Sequence, residues 1–371
     1  MNVTLAVDSL SPTLSGIGRY CWELAQRIPP FVAPDTVHFY RDGAIWDDPS
    51  RFLQPPPALR PPRIYQKFGE KRRRAMVART LRESLVHSPN YFLPPGAEGG
   101  IMTVHDLSVF KFPETHPAAR LHHFEREFLN SLKRASLVIT DTETVRQEVH
   151  EFTDFPANRI VSVSLGVDQR YRPMAAQSIA GHLAQWGLLP GGYGLCVATL
   201  EPRKRIDNLV VAWSRLPVEL KREFPLVLVG ARGWLNDDLE RLLAKGQSQG
   251  WLLYLGFVPE VSLPILYAGA RLFAYPSIYE GFGLPLIEAM ASGTPVITSD
   301  RSCMPEVCGG AAALVPDDDN DGLAAAIISG LRDENWRTKA IAAGLVRAQN
   351  FTWSNCASKT YLAYEYANTL R

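Results

Sequence analysis

The feature that most restricts the fold is a recurrence along the whole chain: short apolar runs of strand length, each leading through a loop into a segment of helical period. Asn2 to Val7 alternates apolar residues and ends in a Ser/Pro/Gly loop, SLSPTLSGIG, which opens into a helical pattern from Tyr20 to Ile28. Runs at Ile101 to Val104 and Leu137 to Thr140 alternate with helical stretches at Leu121 to Lys133 and Val145 to Phe152. Parallel strands need a crossover between them, and a helix supplies it, so this alternation predicts an α/β fold with parallel sheets.

Between Asp168 and Gly194 the pattern lapses, with Pro173, Pro190 and a GGYG run. A second series then begins at Leu195 to Thr199 and continues through Pro225 to Gly230, Trp251 to Leu255, Arg271 to Tyr275 and Pro295 to Thr298. A chain of 371 residues exceeds what one hydrophobic core usually holds, which fits two domains, 1–175 and 190–353. The last segment, about 354–371, is helical in pattern and is expected to pack back onto the first domain. With 46% hydrophobic and 21% charged residues and a formal net charge of +1, the chain reads as globular and not as a nucleic-acid binder. Its five cysteines, Cys21, Cys196, Cys303, Cys308 and Cys356, are scattered and odd in number, which argues against a disulfide framework and fits a cytoplasmic location. No apolar run is long enough to cross a bilayer, so any membrane contact is expected to be peripheral.

The most informative stretch is YPSIYEGFGLPLIEAMASGTPVIT, Tyr275 to Thr298. Pro285 suits a first helical turn, so a helix is predicted from Leu284 to about Ala291, with Glu280 in the preceding loop and Glu288 about one turn inside. Such a helix start presents backbone N–H groups near Gly283 and Leu284 and the positive end of the helix dipole, a receptor for phosphate oxygens. Gly281 and Gly283 flank Phe282 and let backbone approach a ligand. Ionised carboxylates only accept hydrogen bonds, so Glu280 suits sugar hydroxyls and Glu288 a ribose diol. A second element, Thr199-Leu-Glu-Pro-Arg-Lys-Arg205, follows the first strand of the second domain, where open α/β sheets carry ligands, and its Arg203 and Lys204 suit a diphosphate. Taken singly, each feature also reads as ordinary structure: solvated charges, turn glycines, a basic surface run.

Together these residues resemble the retaining glycosyltransferases with the GT-B fold of the family-4 type (glycosyl transferases group 1), most closely bacterial mannosyltransferases of polysaccharide and O-antigen assembly. The resemblance spans nearly the whole chain. It rests on two glutamates with seven residues between them, Glu280 and Glu288, inside EGFGLPLIEAMASGTPV. The family's donor-diphosphate pair corresponds to Arg203 and Lys204, although many members place the arginine several residues earlier, roughly where Thr199 stands here. Gly16 and Gly18 in SGIGRY look like the family's glycine loop, His105 in TVHDLSVFKFPE like its histidine, and Val258 in GFVPEVSL like its base-binding loop.

The resemblance implies two Rossmann-like domains facing across a deep cleft. It also implies retention of configuration with the leaving diphosphate taking the acceptor's proton, and no cofactor beyond the nucleotide-diphosphate sugar itself. GDP-mannose is the expected donor, with UDP- or ADP-sugars as alternatives, and the acceptor is a glycan or lipid-linked glycan. No metal is expected, because Asp317-Asp-Asp319 reads as a turn leading to a helix cap, and Asp141-Thr-Glu143 only superficially resembles a metal motif. Gly69-Glu-Lys-Arg-Arg-Arg-Ala75 suggests contact with anionic lipid, or simply a solvated basic face. Two further alternatives are a catalytically inactive nucleotide-sugar binder and an NAD-dependent oxidoreductase; for the latter, Cys21 stands where the third small residue of a GxGxxG motif belongs.

Overall fold

The computed structural model describes residues 1–55, 70–233 and 237–370. They divide into two compact units: unit 1 is Met1–Leu107, Ala118–Gly166 and Trp353–Arg371, and unit 2 is Ser108–Pro117 and Val167–Thr352. The chain changes unit at Gly166/Val167, at the near edge of the 168–194 stretch where the pattern lapses. The reason is local: Val167 donates to the Phe351 carbonyl (3.1 Å) and bridges Thr352, which ties it to the last residues of unit 2. Ser108–Pro117 interrupts unit 1 in sequence yet packs with unit 2.

Among the described residues, unit 1 holds a seven-stranded sheet in the order β3-β2-β1-β4-β5-β6-β7. Its strands are β1 (Val3–Ala6), β2 (Val37–Arg41), β3 (Ala44–Trp46), β4 (Leu85–Ser88), β5 (Gly100–Val104), β6 (Ala135–Thr140) and β7 (Ile160–Ser162). All pairings are parallel except β2 with β3, which turn back on each other through Asp42 (φ 50) and Gly43 (φ 73). The residues of β1, β4 and β5 are buried throughout, as expected when helices cover both faces of a parallel sheet. The first helix, Gly16–Arg27, is capped by Ser15, whose hydroxyl accepts from Gly18 N–H (3.1 Å). Trp353–Thr369 forms the closing helix of unit 1; it buries the stripe Trp353, Cys356, Ala357, Thr360, Ala363, Tyr364 and Ala367 and packs on the first helix and β6.

Unit 2 holds a six-stranded, wholly parallel sheet in the order β10-β9-β8-β11-β12-β13. The strands are β8 (Gly194–Val197), β9 (Leu226–Val229), β10 (Leu252–Gly256), β11 (Leu272–Tyr275), β12 (Val296–Ser299) and β13 (Ala312–Val315). In both sheets the order reverses beside the first strand, at β1/β4 and at β8/β11, and such switch points are where open α/β sheets bind ligands. All five cysteines are buried and free. Among the described residues no helix is long and apolar enough to cross a membrane.

Candidate active site

At the switch point of unit 2, the loop after β8 and the loop after β11 bring Arg203, Lys204 and Glu280 together. Pro202–Lys204 form a short 3-10 turn closed by Arg205 in the left-handed region (φ 49), which directs two successive cations toward the neighbouring loop. Glu280 is only 8% exposed. Its Oε1 accepts from Lys204 Nζ, from Ser277 Oγ (2.6 Å) and from the Tyr275 hydroxyl (2.8 Å), while Oε2 accepts from Arg203 (3.2 Å). Lys204 also donates to the Tyr275 hydroxyl (3.1 Å), and Arg203 donates to the Tyr279 carbonyl and lies 3.5 Å from Glu201 Oε2. Burial alone would raise the Glu280 carboxyl, but Lys204 and Arg203 outweigh it and hold it at about 2. The Lys204 ammonium is shifted downward by burial and by Arg203 beside it, with Glu280 opposing.

The backbone of Glu280 is fixed as firmly as its side chain. Its carbonyl accepts from Ser302 Oγ (2.8 Å) and Cys303 Sγ (3.1 Å). Gly281, Phe282 and Gly283 are buried, and Gly283 (φ 84, ψ 55) is the residue from which the helix Leu284–Ala291 starts, with Pro285 in its first turn. The first N–H groups of a helix have no partner within it. Glu288 is half-buried in this helix and its charge adds to burial in raising the Tyr267 phenol. Val258 is buried in the loop after β10, beyond Gly256 (φ 65).

Gly16, Gly18 and His105 belong to unit 1. Gly16 opens the first helix and Gly18 is buried in its first turn; a Cβ on Gly18 would stand 3.0 Å from the Ser9 carbonyl. His105, 6% exposed, follows β5, with Nδ1 2.7 Å from Asp141 Oδ2 and Nε2 2.9 Å from the Pro89 carbonyl. Burial works against a charged ring, but Asp141 and these hydrogen bonds outweigh it and shift His105 upward. The acidic motifs are also engaged: Asp319 caps the helix Asn320–Arg332 by accepting from Gly322 N–H (2.7 Å), Asp317 accepts from Arg301 (2.5 Å), and Thr142 caps Glu143–Thr153.

Sequence reasoning passed over Tyr275, Ser277 and Glu201 as site residues and weighed Asp141 only as part of an acidic run. Their shared signal is position: each lies at the end of a strand or in the loop that follows, at the carboxyl edge of a parallel sheet.

Comparison with known proteins bears on this architecture. Residues 192–346, within unit 2, match the family model described as glycosyl transferases group 1. Over 382 aligned positions the chain is 36% identical to O-antigen chain mannosyltransferase B of Escherichia coli, covering 98% of this chain and 100% of that protein. Among solved structures, Anabaena HepE in complex with UDP and glucose superposes with a TM-score of 0.73 at 19% identity, covering 99% of this chain and 100% of that one. WaaG, a glycosyltransferase involved in lipopolysaccharide biosynthesis, superposes at 0.72 with 17% identity, covering 96% and 98%. With two switch-point sheets, a buried Lys–Glu cluster beside a glycine-started helix, and similarity over its full length, the chain belongs to the glycosyl transferases group 1 family and is a glycosyltransferase of the GT-B fold.

Proposed function

We propose that the protein transfers mannose from GDP-mannose, with retention of configuration and without a metal, to a glycan growing on a lipid carrier in O-antigen or related polysaccharide assembly. The observation that carries this reading is the Lys204–Glu280 cluster at the unit 2 switch point, immediately before the helix start at Gly283. The relative named as an O-antigen mannosyltransferase supports the choice of sugar and acceptor class.

On this reading the diphosphate lies against Lys204 and the N–H groups near Gly283 and Leu284, and Arg203 adds positive charge behind Glu280. Charge that grows on the leaving diphosphate is then met by groups already in place, the arrangement that lowers a barrier most. Glu280, ionised throughout the physiological range, accepts from hydroxyls of the transferred sugar, and Glu288 from the ribose. The backbone near Val258 faces the base. The leaving diphosphate takes the acceptor's proton, so no protein base is required. Metal independence is supported by the engagement of Asp141 with His105 and of Asp319 as a helix cap.

A peripheral lipid contact fits the helix Glu70–Glu83. It buries Val77 and Leu81, while Lys71, Arg72, Arg79 and Arg82 lie on its exposed side with Met76, which is 50% exposed. Gly69, the first residue of the basic run, lies outside the described residues. Binding to vesicles containing anionic lipid is expected, and its loss on neutralising Arg72, Arg73 and Arg74 would support the contact.

The deciding experiment is a thermal-shift panel in excess chelator with GDP, GDP-mannose, UDP, ADP and NAD. A ligand at about a hundred times its dissociation constant stabilises the protein by about 2.7 kcal/mol. A shift with GDP and GDP-mannose that disappears in Lys204→Ala is expected. A shift confined to UDP or ADP moves the donor assignment to that nucleotide, and a shift with NAD alone overturns the proposal.

A further inference from the structure

His105 offers a ring whose two nitrogens are both occupied, and the identity of the occupants determines its chemistry. One partner, the Pro89 carbonyl (2.9 Å from Nε2), can only accept a hydrogen bond. The other, Asp141 Oδ2 (2.7 Å from Nδ1), accepts whenever it is ionised. Burial raises the Asp141 carboxyl, with His105 opposing, and the ring is shifted upward as well, burial being outweighed by Asp141 and by the hydrogen bonds to Asp141 and Pro89, so the proton stays on the ring.

The placement of the three groups is as informative as the distances. Pro89 follows β4, His105 follows β5 and Asp141 follows β6, so one ring joins the carboxyl ends of three adjacent strands of unit 1. The charged and titratable groups around it agree with a cation there. Asp106, next in the chain, favours the protonated ring, while the buried His87, pushed down to about 3 chiefly by burial, stays neutral beside it. The Tyr20 and Tyr91 rings meet His105 edge-on at 5.2 and 5.9 Å, and the buried Cys356 thiol, in the field of Asp141, is held protonated by burial. Tyr20 and Cys356, both held protonated by burial, offer no base for the ring's proton.

We propose that Asp141 is a positioning residue: with the Pro89 carbonyl it holds His105 as a doubly donating imidazolium, so that His105 serves the reaction as a fixed cation and staple, not as a base. The functional half of this inference rests on the glycosyl-transfer reading; the protonation half stands without it. On that reading the ring has no lone pair to offer a sugar hydroxyl.

Histidine-selective nitrogen-15 NMR of the full-length protein tests the protonation directly, with the His105 signals identified by their loss in His105→Gln. Both ring nitrogens are expected to be protonated from about pH 6 to about pH 8, across the range in which an ordinary histidine loses its charge. One unprotonated nitrogen at about pH 7 overturns the proposal, whatever reaction the enzyme performs. The second measurement is the pH profile of mannosyl transfer. Wild-type kcat is expected to be level across that interval. In Asp141→Asn, which removes the anion but keeps an acceptor, kcat is expected to fall about tenfold per pH unit above about pH 6.5, with little change in the donor KM. A level Asp141→Asn profile at the wild-type rate overturns the positioning role. If that variant does not fold, the NMR result on the wild-type chain decides.

Discussion

A phosphate that binds at Lys204 has to compete with a carboxylate already in contact, because Lys204 Nζ donates to Glu280 and to the Tyr275 hydroxyl. The cluster therefore pre-aligns the ammonium at the cost of attenuating its charge, and the two substitutions that separate these effects differ in outcome. Lys204→Ala removes the charge and should lower kcat by at least about a hundredfold, the scale of losing one preorganised donor. Tyr275→Phe keeps the ring and deletes one hydroxyl between Lys204 and Glu280; it should cost about 1 kcal/mol in stability and roughly tenfold in kcat while leaving the nucleotide affinity nearly unchanged. A Tyr275→Phe enzyme with wild-type kcat would show that the hydroxyl is incidental. Glu280 does not set an acid limb above about pH 4: its folded carboxyl is held at about 2, so its ionised form contributes stability that is full above its ordinary value near 4.5 and is lost as pH falls from there toward about 2. Glu280 and Glu288 were legible in the sequence through their spacing around a glycine-rich helix start and Lys204 through its place in the basic run after the first strand of the second domain; the fold brings Lys204 onto Glu280. Tyr275 and Ser277 were not, since they read equally well as the end of a buried strand, and only the fold turns their hydroxyls onto Glu280. Asp141 was hidden for a related reason: its partner His105 is 36 residues away, and nothing local links them.

At the scale of elements, the helix Leu284–Ala291 depends on Gly283 leaving the loop with φ 84 and ψ 55, a left-handed conformation that L side chains adopt at a cost of about 1–2 kcal/mol. A Cβ at Gly283 would also stand 3.0 Å from Leu286 Cδ1. Gly283→Ala should therefore lower stability by about 1–2 kcal/mol and weaken nucleotide binding more than it changes kcat, because the N–H groups at the helix start would be re-aimed. Equilibrium denaturation and nucleotide titration of the same preparation check both parts. The limits of this helix were readable from Pro285 and the apolar run after it, as were β1, β5, β6 and the cores of β8 to β12, where apolar runs stand clear of their flanks. β4 and β7 were not: β4 offers only Leu85 and Val86 before the polar His87 and Ser88, and β7 has three residues in all. The β2–β3 hairpin was not read either, although Asp42-Gly43 is the pair that a tight turn with two positive φ values demands.

At the scale of the whole molecule, unit 1 is completed only by the last segment of the chain, so its stability depends on how the helix Trp353–Thr369 is held. The Tyr364 hydroxyl lies 2.7 Å from His87 Nδ1, and Thr103 Oγ1 lies 2.9 Å from Nε2, which places a histidine at the centre of the attachment. Burial, reinforced by the charge of His105, pushes His87 down to about 3, so the folded protein keeps this ring neutral. An unfolded chain takes up a proton on the same ring near pH 6.5. Between about pH 6.5 and about 3 the unfolded state therefore binds more protons, and stability rises with pH: the contribution is complete above about 6.5 and is lost progressively as pH falls toward 3. His87→Gln removes this linkage while retaining a polar side chain for Tyr364 and Thr103. The variant should be less stable than the wild type at about pH 7, and the gap between them should narrow by roughly 2 kcal/mol by about pH 5, at up to about 1.4 kcal/mol per unit below 6.5. Denaturant titrations of both proteins at the two pH values measure the gap, and carboxylates common to both cancel in the difference. A gap independent of pH would mean that His87 is charged in the folded state and that the attachment of the last helix is not what makes unit 1 sensitive to acid.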